Sequence, residues 1–415
     1  MTSKAYVVGA GLAGLSAAVE LASIGMCVEL FEAAPQAGGR CRSYFDPVLN
    51  QIIDNGNHLV LSGNRATMTY LDSIGSKLAL KKLDEDGIAF VDIRNGLRWT
   101  IAPNDGPIPF WIFDSKRRVP GTKVSEYVIL AKILQAKPNQ RLGDLVSSHG
   151  MLWERLLKPF FVGALNTDPK TASSVLAAAL IKETFAKGGR AYRARIAHPT
   201  LAAAFIDPAL EWLSGHGAEI RVGSRVRSLT FSNNRVTGLG LADRSIEAST
   251  GEIVILAVPP WIATELIPGL GAPTEFRSIV NAHFQIAPPD NANPMIGIIG
   301  GTAEWIFSFP DRISITVSSA DHLVDTDRET LARAFWADVA AALDLPPALP
   351  PFQIVKERRA TFAATPEQVR LRPGTETRWA NLMLAGDWTD TGLPATIEGA
   401  IRSGQKAAKL ALSRQ

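Results

Sequence analysis

The stretch AYVVGAGLAGLSAAVELASIGMCVELFE, residues 5–32, decides the fold of this chain. It contains, in order, an apolar segment, a glycine-rich turn, a helical segment and a second apolar segment: residues 5–8, 9–14, 15–24 and 27–31. Short apolar segments on either side of a helix are typical of buried parallel strands. The stretch therefore predicts an α/β fold with a Rossmann-like dinucleotide-binding unit.

The three glycines of the turn follow the pattern G-x-G-x-x-G. Gly9 allows the tight turn, Gly11 allows the backbone to approach a pyrophosphate, and Gly14 allows the helix to pack closely on the strand. Glu32 follows Gly14 by 18 residues and can accept hydrogen bonds from an adenosine ribose, which argues against NADP. The expected nucleotide contacts are Gly9, Gly11, Leu12, Ala13, Gly14, Glu32 and Ala33.

Composition limits the remaining possibilities. At roughly 150 residues per domain, 415 residues predict two or three domains. A net charge of +3 is too small for general nucleic-acid affinity. Two cysteines favour a reducing, cytoplasmic location, and the six histidines show no metal-ligand spacing. Glycines interrupt the N-terminal apolar run, which argues against a signal peptide, and no apolar run elsewhere is long enough to span a membrane.

Four further motifs are scattered along the chain: Gly38-Gly39-Arg40, residues 54–58 (DNGNH), residues 385–390 (AGDWTD) and residues 399–404 (GAIRSG). Together with the glycine turn they resemble the FAD-binding constellation of the flavin amine oxidase and phytoene desaturase superfamily. The resemblance implies FAD as cofactor. It also implies that Gly39 and Arg40 approach the diphosphate and that Gly386 and Asp387 hold the ribityl chain and phosphate. Further contacts that it implies are Asn57, His58, Val226, which meets the adenine through its backbone, and Ala395, Thr396 and Ile397 at a helix start facing the flavin pyrimidine.

That superfamily assembles its FAD domain from separated segments. The resemblance accordingly implies an FAD-binding domain of residues 1–66, 205–265 and 358–415, and a discontinuous α+β substrate domain of residues 67–204 and 266–357. Alternating strands are expected at residues 221–226 and 236–239, around an Asn233-Asn234 turn. Helices are expected at residues 125–134, 152–157 and 328–343, and a strand at residues 313–317.

A narrower resemblance rests on more particular runs: residues 34–44 (APQAGGRCRSY), residues 54–64, residues 118–121 (RVPG) and residues 386–400 (GDWTDTGLPATIEGA). These look like the hydroxysqualene dehydroxylase family of squalene-associated FAD enzymes in hopanoid and triterpenoid biosynthesis. The family implies a long apolar isoprenoid substrate whose allylic hydroxyl is removed reductively to give squalene. No second glycine turn for NAD(P)H is evident, so an external electron donor is expected.

The reaction implied by the family needs an acid, since hydroxide is a poor leaving group. His58 is the candidate acid, with Asp54 orienting it, and the alternative is a histidine that hydrogen-bonds FAD or the turn backbone. Trp388 is a candidate on the substrate side, and the alternative is simple packing. A carotenoid or phytoene-type desaturase and a flavin amine oxidase remain alternative functions. A third alternative is a prenyl-carrying protein of the GDP-dissociation-inhibitor kind, which does not use flavin. A purified protein with the yellow colour of flavin would exclude it.

One segment suggests contact with a membrane surface. Apolar and aromatic residues precede a cluster of cations, namely Ile108, Phe110, Trp111 and Phe113 before Lys116, Arg117 and Arg118. The apolar side chains would enter the interface and the cations would meet anionic headgroups on the inner face of the cytoplasmic membrane. The alternative is a core strand followed by a solvated turn.

Overall fold

The computed structural model describes residues 4–83 and 87–414. Residues 1–3, 84–86 and 415 fall inside the predicted domain ranges but lie outside the described residues. The strands are β1 Lys4–Val8, β2 Cys27–Phe31, β3 Ser43–Asp46, β4 Gln51–Asp54, β5 Leu59–Leu61, β6 Leu80–Lys82, β7 Ile88–Asp92, β8 Leu97–Ile101, β9 Ala194–Ala197, β10 Glu219–Arg221, β11 Ser228–Ser232, β12 Arg235–Gly240, β13 Ser245–Glu247, β14 Ile253–Leu256, β15 Phe276–Phe284, β16 Met295–Ile299, β17 Trp305–Phe309, β18 Arg312–Val317, β19 Phe352–Phe362 and β20 Leu382–Leu384. The helices are α1 Leu12–Ser23, α2 Arg65–Ser73, α3 Val128–Leu134, α4 Lys158–Leu165, α5 Ser174–Glu183, α6 Gly189–Tyr192, α7 Leu201–Phe205, α8 Asp207–Gly215, α9 Pro260–Leu266, α10 Arg328–Leu343, α11 Pro366–Arg370 and α12 Ile397–Leu412.

A parallel sheet in the order β10-β2-β1-β14-β20 forms the nucleotide-binding half. The predicted β1-α1-β2 unit lies at its centre, so the local prediction from residues 5–32 is confirmed. Helices α1 and α12 cross closely against this sheet because a small residue stands at the crossing: a Cβ on Gly404 would lie 2.1 Å from the Ala13 carbonyl oxygen. Ser16 donates to the carbonyl of Ile401 at 3.1 Å and fixes the crossing.

A second, mixed sheet has the order β19-β15-β18-β17-β16-β7-β8. One face packs on helix α10, where Phe284 and Trp336 lie in ring contact in a buried core. The other face presents the alternate residues of β15, β17, β18 and β19 to a large cavity. One face of this sheet therefore belongs to the core, and the other face forms part of the cavity wall.

The strands of the parallel sheet all lie in the ranges predicted for the FAD domain. All four predicted boundaries nevertheless fall inside regular elements: 66/67 lies within α2, 204/205 within α7, 265/266 within α9 and 357/358 within β19. Strand β19 thus runs without a break from one predicted domain into the other. The division into these two domains stays a prediction.

The predicted hairpin is only partly right. The Asn233-Asn234 turn is confirmed, because both residues have positive φ, 49° and 61°, as a type I′ turn requires. The strand that pairs there is β11, however, and β10 ends at Arg221. Residues 222–226 are not a strand, since Gly223 and Ser224 donate to the carbonyls of Ala34 and Glu32 in the loop after β2. These bonds bring Val226 to the cavity wall.

The other predicted elements are mostly confirmed. The helix at residues 328–343 coincides with α10, and the strand at residues 313–317 lies in β18. The helix predicted at residues 125–134 begins as a 3₁₀ turn over Val124–Tyr127 and continues as α3. The segment at residues 152–157 forms a wider π turn over Trp153–Leu157 that leads into α4.

The segment with the suggested membrane contact is a 3₁₀ turn over Phe110–Ile112, so the alternative of a core strand is wrong. Trp111 was expected at the membrane, but it is only 2% exposed because its ring packs edge-on against Tyr127. Ile108, Phe110 and Phe113 are 58%, 63% and 64% exposed. Lys116 and Arg117 are also exposed, and Arg118 is half-buried. In the described part of the chain, no helix combines the length and the apolar character needed to cross a bilayer.

Candidate active site

One cavity of about 1270 Å³ extends from the carboxyl ends of β1, β2 and β14 to the open face of the second sheet. Its volume exceeds the ~300–1,000 Å³ of an ordinary small-molecule site, so it has room for a dinucleotide and a second ligand. The predicted site residues that line it are Gly9, Gly11, Leu12, Ala13, Glu32, Ala33, Gly39, Arg40, Asn57, His58, Val226, Gly386, Asp387, Trp388, Ala395, Thr396 and Ile397. Gly14 and Asp54 lie behind this wall.

The glycine turn has the geometry that a pyrophosphate needs. Gly9 has a φ of +104°, and a Cβ there would lie 2.5 Å from the carbonyl oxygen of Ala257. A Cβ on Gly14 would lie 1.8 Å from the carbonyl oxygen of Gly9, so this residue permits the close helix packing. A Cβ on Gly11, in contrast, would meet no atom within 4 Å, so the space above it is open to a ligand.

Two helices begin at the cavity wall. Helix α1 starts at Leu12, inside the glycine motif and three residues before the predicted helical segment, and α12 starts at Ile397. Thr396 caps α12 by accepting a hydrogen bond from the Gly399 N–H at 3.0 Å. The first N–H groups of both helices and their positive dipole ends suit phosphate and the negatively charged ring of a reduced flavin.

Glu32 is fixed at the adenosine end of the cavity. Its carboxylate accepts hydrogen bonds from the backbone N–H groups of Ala10 and Ala34, at 2.9 and 2.8 Å. A carboxylate has about four lone-pair positions, so two remain for ribose hydroxyls. Ala33 and Val226 line the cavity beside it.

Arg40 connects separate parts of the site. Its guanidinium donates to Asp387 at 2.7 Å and to the carbonyl oxygen of Ala360 in β19. Burial by itself would lower the pKa of Arg40, but the adjacent Asp387 outweighs it and the pKa is raised. A permanent cation therefore faces the middle of the nucleotide region, where a diphosphate would place its charge.

The loop after β20 is held by a residue that the motifs do not contain. Arg372 donates to the carbonyl oxygens of Asp387, Trp388 and Thr389, and only 6% of it is exposed. Burial lowers the pKa of Arg372 to about 10, which still leaves it charged at neutral pH. Its position in the sequence gives no signal, because it precedes Asp387 by 15 residues and lies in an irregular segment.

Trp388 is held in the same loop. Its indole N–H donates to the carbonyl of Val258 at 2.9 Å, and the ring covers Gly386. The side chain also lines the cavity, but its polar atom is already bonded within the protein. This geometry favours the packing alternative over the predicted substrate contact.

His58 lies on the cavity wall, where the nucleotide region meets the second sheet. Burial, with a contribution from Arg40, lowers the pKa of His58 to about 4. The ring is therefore neutral at pH 7, which argues against its predicted role as the acid. The alternative, a neutral ring that donates a hydrogen bond to the cofactor or the turn, fits better.

Asp54 does not orient His58. Its carboxylate accepts hydrogen bonds from the Ser43 hydroxyl at 2.6 Å and the Leu201 N–H at 2.9 Å, and Arg312 lies 3.6 Å away. Burial raises the pKa of Asp54, and these three partners oppose the rise. Asp54 thus ties β4 to the start of α7, and its predicted catalytic role has no support in the geometry.

The half of the cavity beside the second sheet is mostly apolar. Its wall includes Phe90, Phe160, Leu180, Ile279, Met295, Trp305 and Phe307. Polar residues that the sequence analysis missed interrupt this surface: Asn281 in β15 and Thr316 in β18. The available signal in the sequence was an amide, Asn281, in the mostly apolar end of β15, IVNAHF.

A glycine turn, the fixed carboxylate of Glu32, the cation of Arg40 and two helix starts surround one cavity that continues into an apolar chamber. This arrangement is typical of a dinucleotide-binding flavoprotein. The flavin containing amine oxidoreductase family matches residues 12–412, and FAD is the cofactor. An oxidoreductase from Methanosarcina mazei has a similar fold, with a TM-score of 0.73 at 16% identity over 98% of this chain and 100% of that one.

Relatives with higher sequence identity indicate a particular family among the flavin containing amine oxidoreductases. The chain is 47% identical to a hydroxysqualene dehydroxylase of Sinorhizobium fredii and 46% identical to one of Rhodopseudomonas palustris, in each case over 100% of this chain and 99% of the relative. The chain therefore belongs to the hydroxysqualene dehydroxylase family, within the flavin containing amine oxidoreductases. This confirms the resemblance inferred from the motifs.

Proposed function

We propose that this chain is an FAD-dependent oxidoreductase that removes the allylic hydroxyl of hydroxysqualene and yields squalene. The observation that supports the proposal most is the single cavity, in which a nucleotide cradle opens directly into an apolar chamber beside His58. The relatives that are named hydroxysqualene dehydroxylase match this chain along its whole length. We further propose that the reaction belongs to hopanoid or triterpenoid biosynthesis, as the family resemblance implies.

The overall reaction is balanced when one external reductant supplies two electrons. The substrate alcohol takes up a hydride and a proton, loses its hydroxyl as water, and the two electrons come from a separate reductant. When bound and reduced, FAD supplies the hydride. The proposed role of the chain is to hold FAD, exclude water and orient the hydroxyl-bearing carbon beside the cradle.

The proposed cofactor contacts follow the geometry of the cavity. The N–H groups at Gly11, Leu12 and Ala13, with Arg40, would bind the diphosphate, and Glu32 would bind the ribose. Gly39, Gly386 and Asp387 would surround the ribityl phosphate. The start of α12 at Ala395, Thr396 and Ile397 would face the pyrimidine, and Asn57 and His58 also line the cavity.

An anaerobic experiment tests the function. The protein-bound flavin is photoreduced, hydroxysqualene is added, and the visible absorption of oxidised flavin is followed while the product is analysed. Reoxidation with formation of squalene is expected. A stable reduced flavin, combined with reduction of the oxidised enzyme by an amine or by a polyene hydrocarbon, would instead favour an amine oxidase or a desaturase.

Substitution of His58 separates its two possible roles. Since the ring is neutral at pH 7, His58→Gln is expected to lower the affinity for FAD several-fold while the reoxidation rate per bound flavin stays within about threefold. Flavin content and anaerobic stopped-flow absorbance measure the two effects. A fall of a hundredfold or more in the rate at unchanged flavin content would instead show that His58 is the acid.

We also propose that the segment around Phe110 contacts the cytoplasmic face of a membrane. Ile108, Phe110 and Phe113 are exposed beside Lys116 and Arg117. The same segment adjoins the cavity wall, because the Gly189 N–H donates to the Asn104 carbonyl at 2.7 Å and Tyr192, three residues further, lines the cavity. A substrate from the bilayer would then have a short path to the chamber.

Vesicle flotation tests this contact. Replacing Phe110 and Phe113 by Ser is expected to lower binding to vesicles with anionic phosphatidylglycerol roughly tenfold, since two aromatic side chains no longer enter the interface. Leu78→Ser is the matched control, because Leu78 is 99% exposed in another part of the chain. Equal flotation of both variants and the unchanged protein would contradict the proposed contact.

A further inference from the structure

A chain of polar side chains crosses the cavity wall where the nucleotide region meets the second sheet. Asn57 donates to the Thr316 hydroxyl at 3.2 Å, and Thr316 donates to the Asn281 amide oxygen at 2.7 Å. Asn281 then donates to the backbone carbonyl of Asn55 at 3.3 Å. Asn281 and Thr316 face each other in the register of β15 and β18, and both line the cavity.

The hydrogen-bonding capacity of this chain is not exhausted. An amide group has two N–H donors and an oxygen with two lone pairs, and a hydroxyl has one donor and two lone pairs. The internal bonds leave one N–H and one lone pair on Asn281, and one lone pair on Thr316. An alcohol placed against both residues can therefore accept one hydrogen bond and donate another.

Asn166, another amide on the same wall, lacks this capacity. Its NH₂ donates to the Arg277 carbonyl and to the Thr361 hydroxyl, and its oxygen accepts from the Ser319 N–H. Both of its N–H groups are therefore occupied by the protein. The unused donor at Asn281 is what distinguishes a possible ligand contact from a purely structural tie.

We infer that Asn281 and Thr316 bind the hydroxyl group of the substrate and thereby set which carbon of a long hydrocarbon lies at the nucleotide region. The inference rests on the proposed function. The two residues are 2% and 8% exposed, and their neighbours on the wall include Ile279, Trp305 and Phe307. An alcohol buried among such side chains without a partner would lose the hydrogen bonds it had with water, so the polar pair determines where it binds.

The test measures binding without turnover. The oxidised holoenzyme cannot reduce an alcohol, so hydroxysqualene and squalene are each titrated against it and the shift of the flavin spectrum gives two affinities. The unchanged protein is expected to prefer the alcohol. Thr316→Val and Asn281→Leu are each expected to reduce this preference roughly two- to tenfold, the value of one hydrogen bond.

Two controls separate hydroxyl binding from structural effects. Thr316→Ser keeps the hydroxyl and is expected to keep the preference for the alcohol. Phe307→Leu alters the apolar wall and is expected to weaken both ligands equally. A lost structural tie would likewise change both affinities together, so only the ratio of the two reports on hydroxyl binding.

The results that would contradict the inference differ from those that would contradict the proposed function. An equal affinity of the unchanged holoenzyme for alcohol and hydrocarbon would overturn the inference without any variant. An unchanged ratio in Thr316→Val and Asn281→Leu, at normal flavin content, would overturn it as well. If the unchanged holoenzyme bound neither compound and its reduced flavin were stable to hydroxysqualene, the proposed function itself would fail.

Discussion

The nucleotide cradle and the substrate chamber share one cavity but are built differently. The cradle is built mainly from backbone, in a glycine turn and two helix starts, to which the side chains of Glu32 and Arg40 add charge. The buried side chain of Arg372 holds one loop of the cradle by donating to its carbonyls. The chamber is lined by side chains from strands that lie far apart in the sequence, such as β7 and β16, and that the sheet order brings together. Backbone recognition requires particular residues at fixed spacing, whereas an apolar wall requires only hydrophobic side chains of suitable size.

This difference predicts unequal tolerance to substitution. Changes at cradle positions that are packed in the core should affect folding and flavin content together, whereas changes at cradle positions open to the cavity should affect flavin content alone. Changes in the chamber should affect ligand choice more than flavin content. The following substitutions test this contrast.

Gly14→Val should have the largest effect. Its Cβ would lie 1.8 Å from the Gly9 carbonyl oxygen, so α1 must move away from the sheet, and we expect little soluble, flavin-containing protein. Gly11→Ala is the matched control, since its Cβ meets no protein atom within 4 Å. It should keep the melting temperature of the apoprotein while the affinity for FAD falls at least roughly tenfold, because the pyrophosphate can no longer approach the backbone. Equal melting temperatures for both variants would contradict the expected difference between a packed and an open glycine position.

Arg372→Met should cost about 3 kcal/mol of stability, since several buried carbonyl groups lose their donor. Flavin should be lost as well, because the loop carrying Asp387 loosens. Urea unfolding and absorbance of the purified protein measure both effects. Arg370→Met is the control, as Arg370 is exposed and bonds to Asn139. Full flavin content in Arg372→Met would show that the loop holds its shape without this residue.

His283→Gln should change the pH dependence of stability. His283 is fully buried between the Ser314 hydroxyl and the Asp54 carbonyl, and burial lowers its pKa to about 3. The unfolded chain therefore binds more protons than the native one below pH 6.5, so stability falls as the pH falls. Between pH 7 and pH 5 this group alone accounts for about 2 kcal/mol.

Removing the imidazole should make the fall in stability from pH 7 to pH 5 about 2 kcal/mol smaller, although the variant is less stable at pH 7. Urea unfolding at both pH values measures this difference. His216→Gln, at an exposed histidine, is the control for a histidine substitution outside the core. An unaltered pH dependence in His283→Gln would show that the native protein tolerates a charged imidazole at this position.

Val226→Ala should have the smallest effect. The side chain is buried, so its truncation should cost about 1 kcal/mol, but the adenine contact expected there is made by the backbone. The affinity for FAD should stay within about twofold, as measured by titration of the apoprotein. A tenfold loss would show that the valine side chain itself packs on the cofactor.

The same contrast explains what the sequence could predict. The β1-α1-β2 unit, the start of α12 and the residues around the cradle followed from motifs, because their function constrains local spacing. Asn281, Thr316 and Arg372 did not, since each acts through partners far away in the chain. Residues 222–226 alternate like a strand, but their bonds to the loop after β2 determine their conformation. Trp111 is buried because its ring packs against Tyr127, and no local sequence pattern predicts that contact.

The unbroken course of β19 has a mechanical consequence. Strand β19 pairs along its length with β15 in the second sheet, and its Ala360 carbonyl accepts a hydrogen bond from Arg40. The strand therefore ties the second sheet to the nucleotide region. Moving that sheet away would break the Arg40 bond, so we expect the apolar chamber to keep its position beside the nucleotide region when a long substrate enters.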